Sequence, residues 1–121
     1  MIDFWAKWCA PCVRLKKETL QSLVVAKALD RFELVEVDVD QHPDLAKAYG
    51  VSVIPDVFLV DREGYVYDRL RAFETSDPFL SRLDRESTRR LTDLSSDARE
   101  VREPFNEANG KVRLLLIVSP G

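Results

Sequence analysis

The chain has 121 residues, 45% of them hydrophobic, and a net charge of −3. That suffices for one compact domain with its own core and not for two full ones, and the faintly acidic balance argues against nucleic acid as a partner. No apolar run approaches the roughly 20 residues of a membrane span, and the first residues lack the basic and apolar segments of a secretory leader. As written, the chain is therefore expected in the cytoplasm; the periplasm or export is the alternative if a leader or anchor precedes it.

Taken in order, Ile2 to Ala6 reads as a strand. Pro11 to about Leu29 reads as one helix, because Val13, Leu20, Leu23, Val24 and Ala28 recur at roughly helical spacing. Phe32 to Val39 alternates apolar and polar residues, as a strand does. Asp40, Pro43 and Asp44 predict a capped helix start ahead of Leu45, Ala46, Ala48 and Tyr49, with Gly50 as its stop. After Pro55, Val57 to Val60 predicts a short strand, Asp61 to Gly64 (DREG) a hairpin turn, and Tyr65 to Leu70 the returning strand. Thr75, Ser76, Asp77 and Pro78 open a further helix through Phe79, Leu80 and Leu83. Strands alternating with helices predict an α/β fold: a largely parallel sheet covered by helices, with one antiparallel hairpin at an edge.

Both cysteines fall in WAKWCAPCVRLKKE, Trp5 to Glu18. Three roles compete for the pair. As a staple, so short a loop would remove little unfolded-state entropy. A metal site needs about four ligands, and the single further candidate is His42, read as a solvated residue near a helix start; no metal is expected. A redox couple asks only for two sulfurs within bonding reach, and residues three apart on a helical turn share a face.

IDFWAKWCAPC, together with VSVIPDVFLVDREG further on, resembles the thioredoxin superfamily over residues 1–85. The KKETL that follows the cysteines is most similar to the thioredoxin-like C-terminal domains of bacterial thiol-disulfide interchange proteins. The resemblance implies a thioredoxin-like mixed sheet flanked by helices and a protein-disulfide oxidoreductase whose only cofactor is its own Cys9–Cys12 disulfide. Its implied partners are protein disulfides and a thiol electron donor.

Residue chemistry agrees with that implication. Cys9 at the helix N-terminus would have its thiolate favoured by unpaired N–H groups and the positive dipole end, making it the attacking thiol. Pro11 suits the first helical turn. Cys12, expected deeper and less exposed, would resolve the mixed disulfide. Asp3 matches the family's buried acid and would exchange a proton with Cys12. Pro55 matches the family's cis-proline, and a cis bond there would leave the backbone of Ile54 free to pair with substrate as an added strand. Trp8 would be an exposed platform for a partner chain, and Trp5 would pack in the core. Two departures bear on redox tuning: Ala10 precedes Pro11 where thioredoxins carry Gly, and Asp56 follows Pro55 where they usually carry Thr. A charged Asp56 near the sulfurs would raise the Cys9 pKa and favour a reducing couple over a strong oxidant.

The chain ends depart further from the family pattern. The β-α unit that usually precedes the cysteine-bearing strand is missing ahead of Met1. Residues 86–121 extend past the family's last helix, with a helix expected around Val101, Phe105 and Ala108, kinked at Pro104, and a buried strand over Lys111 to Val118. That strand would complete the sheet edge or begin a second, truncated thioredoxin-like unit, and it could support self-association. The alternative for the whole chain is a non-catalytic module that binds a partner beside Trp8 and Pro55.

Overall fold

The chain's structure is a computed structural model that describes residues 1–89. Strand β1 (Ile2–Trp5) leads into helix α1 (Ala10–Arg14), which passes without a break into a π-helical segment (Leu15–Leu20). Then come α2 (Leu23–Leu29), β2 (Val35–Asp38), α3 (Pro43–Ala48), β3 (Asp56–Val60), β4 (Val66–Leu70) and α4 (Ser76–Arg89). Helix α4 runs past the expected domain boundary at residue 85, and the helix and strand expected near the C-terminus lie outside the described residues.

The four strands lie in the order β2-β1-β3-β4. Only β1 and β2 are parallel; β3 is antiparallel to β1 as well as to β4, so the sheet is more mixed than the element order implies. Phe4 pairs with Asp56, which makes β3 start beside the end of β1 and run back along it. This reversal brings Ile54 and Pro55 to the end of the sheet where β1 delivers the cysteines.

Alternation along the strands divides the core into two clusters, one on each face. Ile2, Phe4, Val35, Val37 and Phe58 pack against Leu45, Ala46 and Tyr49 around α3, with Phe4, Tyr49 and Phe58 in mutual ring contact at 5.2–5.6 Å. On the other face Val57, Leu59 and Leu70 meet Leu15, Leu20, Val25, Phe79 and Leu83 from the helices. Cys9, Cys12 and Ala6 form a small third cluster against Trp5, Val39 and Ile54.

The long helix expected from Pro11 is interrupted. Ser22 is extended, and its hydroxyl donates to the Thr19 carbonyl, while buried Thr19 donates its own hydroxyl to the Glu74 carbonyl. The interruption resets the helical phase, so Leu23 and Val24, expected on the core face, are 89% and 58% exposed. Within the π segment Leu15, Thr19 and Leu20 are the buried positions, the wider turn letting both the fourth and fifth residues after Leu15 face inward. Helix α3 begins at Pro43 as expected but has no side-chain cap; the Asp38 carboxylate instead accepts from the Asp40 amide in the preceding turn. Gly50 follows its end with φ of +63°, a conformation glycine adopts at little cost.

Candidate active site

Strand β1 ends at Trp5, and four residues later Cys9 caps α1, its Sγ accepting from the Cys12 N–H at 3.2 Å. Pro11 lies in the first turn, where its missing N–H leaves no bond unmade. Cys9 and Cys12 are joined as a disulfide with Cα atoms 5.3 Å apart. The two residues are equally buried, at 4% and 5% exposure, which corrects the expectation that Cys12 would be the more covered. Their distinction lies in surroundings: Cys9 takes the cap position, while Cys12 lines a cavity behind the disulfide.

That cavity, about 190 Å³, is lined by Asp3, Trp5, Cys12, Val13, Lys16, Lys17 and Gln21. Asp3 is buried, and its Oδ1 has no hydrogen-bond partner among the described residues. Burial above all, then the neighbouring Glu36 charge, pushes its pKa up to about 7, with Lys16 pulling the other way and Asp56 adding a smaller upward push. A carboxyl so placed can gain and lose a proton near neutrality, and the cavity is roomy enough for water to carry it to Cys12. Trp5 is partly buried along the same wall, with the Lys16 ammonium 5.5 Å from its ring centroid.

On the other side of the disulfide, Trp8 is 68% exposed and its indole N–H donates to Asp40 Oδ2 at 2.8 Å. Trp8, Val39, Ala46, Val51, Ser52, Val53 and Ile54 line an open groove of about 330 Å³. The Ile54–Pro55 peptide bond is cis, and Pro55 is buried. Ala10, between the cysteines, is exposed at the helix start.

Asp56, next to Pro55, is fully buried, but its charge is not free. Arg69 grips it with two bonds, Nε to Oδ1 at 2.8 Å and Nη2 to Oδ2 at 2.5 Å, and Arg71 lies at 4.0 Å. Arg69 also donates to the Gly50 carbonyl at 3.3 Å and stacks 4.2 Å over Phe58. The Asp56 charge expected to act on Cys9 is thus paired with a bidentate guanidinium, a partner the sequence reading did not include. Asp56 shares its face with Phe4, opposite to Asp3, and its bond network holds the base of the Gly50–Ile54 loop.

Sequence reading missed Arg69, Lys16 and Glu36. Each left a signal: Arg69 falls near the level of Asp56 when the strands are counted back from the DREG turn, Lys16 follows Cys12 by one helical turn, and Glu36 occupies the polar phase of FELVEVDV. His42 caps α3 without a side-chain bond, and no group of three or more His, Cys, Asp or Glu among the described residues is placed to hold a metal ion. No helix among the described residues is long and apolar enough to cross a membrane.

A mixed sheet whose first strand delivers a two-cysteine disulfide to a helix start, with Ile54 of a cis Ile54–Pro55 bond packed against it, defines a thioredoxin-fold domain with a redox-capable site. The chain belongs to the thioredoxin family: the Thioredoxin family model matches residues 1–84. It is 38% identical over 81 residues to the mitochondrial thioredoxin of Bos taurus, covering 64% of this chain and 45% of that protein. The thioredoxin of Staphylococcus aureus is 31% identical over 85 residues, 70% of this chain and 79% of the relative. Among solved structures, the C-terminal domain of Neisseria meningitidis DsbD in its reduced form superposes with a TM-score of 0.61 at 31% identity, over 69% of this chain and 76% of that one. The chain spans about half the length of several curated relatives it matches, 45% and 52% in two cases.

Proposed function

We propose that this chain is a protein thiol-disulfide oxidoreductase that reduces protein disulfides, or relays electrons to them, through Cys9 and Cys12. The observation that carries the reading is the position of the disulfide between two different environments, an open apolar groove on one side and the Asp3 cavity on the other. In the reduced protein, the Cys9 thiolate attacks one sulfur of a substrate disulfide held against Trp8 and Ile54. The substrate disulfide breaks, a Cys9–substrate disulfide forms, and the departing substrate sulfur takes up a proton. Cys12 then yields its proton toward Asp3 through the cavity, and its sulfur attacks Cys9 Sγ. This closes the Cys9–Cys12 disulfide and releases the second substrate thiol, so two electrons pass to the substrate. A dithiol donor reopens the disulfide for the next cycle.

Reduction of a protein disulfide with dithiothreitol as donor tests this directly. Wild type should accelerate it catalytically, and Cys9→Ser should fall to the uncatalysed background. Equal rates for the two proteins would instead mark a binding module whose disulfide is idle. Self-association through residues 111–118 belongs to the same reading, and sedimentation of the chain with and without that segment tests it.

A further inference from the structure

Beside Lys17, three charged groups lie near the Cys12 side of the disulfide, each from a different element. Asp3 and Glu36 are register partners on the parallel strands β1 and β2, so their side chains project from the same face at neighbouring positions. Lys16 comes from the π segment, four residues after Cys12 and on the same helical face. Its Nζ donates to Glu36 Oε1 at 2.7 Å, and its side chain lines the cavity that Asp3 and Cys12 share. Two carboxyl groups thus meet one ammonium, and the ammonium is bonded to the outer of the two. Asp3, the inner one, is left with Oδ1 unpartnered.

Resting on the oxidoreductase reading above, we propose that Lys16 and Glu36 form a positioning pair for the resolving step, setting the pH range over which Asp3 accepts the Cys12 proton. Glu36 anchors the Lys16 ammonium at the cavity wall, where it lies along Trp5 and does not fold down onto Asp3. A direct Lys16–Asp3 bond would fix Asp3 as a carboxylate too weakly basic to take a thiol proton; removal of Lys16 altogether would leave two uncompensated acids side by side. The observed arrangement lies between these limits. The opposing pushes on Asp3, upward from Glu36 and downward from Lys16, follow from this geometry. The other groups facing Asp3 are Cys12 from α1 and Lys17 from the π segment, while Asp56 of β3, held by Arg69, acts on it from the opposite face of the sheet; α4 contributes apolar Phe79 and Leu83 to the Asp3 side.

The signature of such a pair is a shift of opposite sign for its two members. Single-turnover oxidation of the reduced full chain by a protein disulfide, followed by tryptophan fluorescence across pH 5 to 9, reads the resolving step. Lys16→Met removes the downward influence and should move the midpoint up by about one unit, roughly a tenfold slower step on the acid side. Glu36→Gln should move it down, the double variant should lie between the two, and Lys16→Arg should keep the wild-type profile. A purely structural role would lower rates at every pH without moving the midpoint in opposite directions, and that result overturns the pair. Asp3→Asn separates the levels of the argument. If it leaves the wild-type profile intact, Asp3 is not the acceptor and the positioning pair falls with it, while Cys9-dependent turnover would still uphold the oxidoreductase.

Discussion

Asp3 and Asp56 are both buried acids, on adjacent strands and one register step apart, yet they point to opposite faces of the sheet and live under opposite rules. Asp56 is gripped by Arg69, and the pair reaches on to the Gly50 carbonyl, so its charge is consumed in holding strand and loop together. Asp3 is buried with one oxygen unpartnered beside a cavity, so its charge state is free to change. The same residue type thus stands as a paired brace on one face and as an acid able to change its protonation near neutrality on the other. The presence of a bidentate partner decides which.

The comparison breaks most visibly if the brace is cut. Arg69→Met leaves Asp56 buried without its counter-charge and should cost about 3 to 5 kcal/mol in denaturant unfolding. Replacing both members, Asp56→Thr with Arg69→Met, should recover most of that loss; no recovery would mean that the Gly50 bond or the Phe58 stacking dominates instead.

Asp3 makes the contrary prediction, a stability that depends on pH. The unfolded chain holds this proton only below about pH 4, whereas the folded chain holds it up to about pH 7. Between those values the folded state binds more protons, so stability should fall as pH rises through this window, by up to about 4 kcal/mol, and level off above it. Asp3→Asn should flatten this slope, leaving the variant more stable than wild type at pH 8 while slowing disulfide turnover there. An unchanged slope in unfolding curves from pH 4 to 8 would assign the titration to another group.

Arg71→Gln sharpens the distinction from below. Arg71 is half exposed and 4.0 Å from Asp56, whose oxygens Arg69 already engages, so its loss should stay within about 0.5 kcal/mol. A larger effect in the same unfolding assay would show that the brace is shared by both arginines.

How much of this was legible in the sequence depended on how local each determinant is. The β1–Cys9–Cys12 unit, the Ile54–Pro55 position and the DREG turn are written in contiguous residues, and the structure has them where they were expected. The break at Ser22 was hidden, because Leu23 and Val24 continue a plausible helical spacing and the Thr19 bond that accompanies the break reaches a carbonyl at Glu74. The direction of β3 was hidden as well, since helix-separated strands suggest a parallel neighbour until the pairing of Phe4 with Asp56 is known. Asp56 shows the same limit at the site: its place beside Pro55 is plain in the sequence, but the group that pairs with its charge lies across the hairpin.

The interior place of β3 has a consequence for traffic at the site. From Asp56 its flank toward β1, and from Val57 its flank toward β4, are taken up by ladders, so among the described residues the sheet's lateral edges belong to β2 and β4. Ile54 lies just beyond those ladders, at the mouth of an occupied strand. A guest chain docking there gains a berth only a few residues long, closed at its inner end. On the proposed reading, successive guests could not stack along that strand as they could on an open edge.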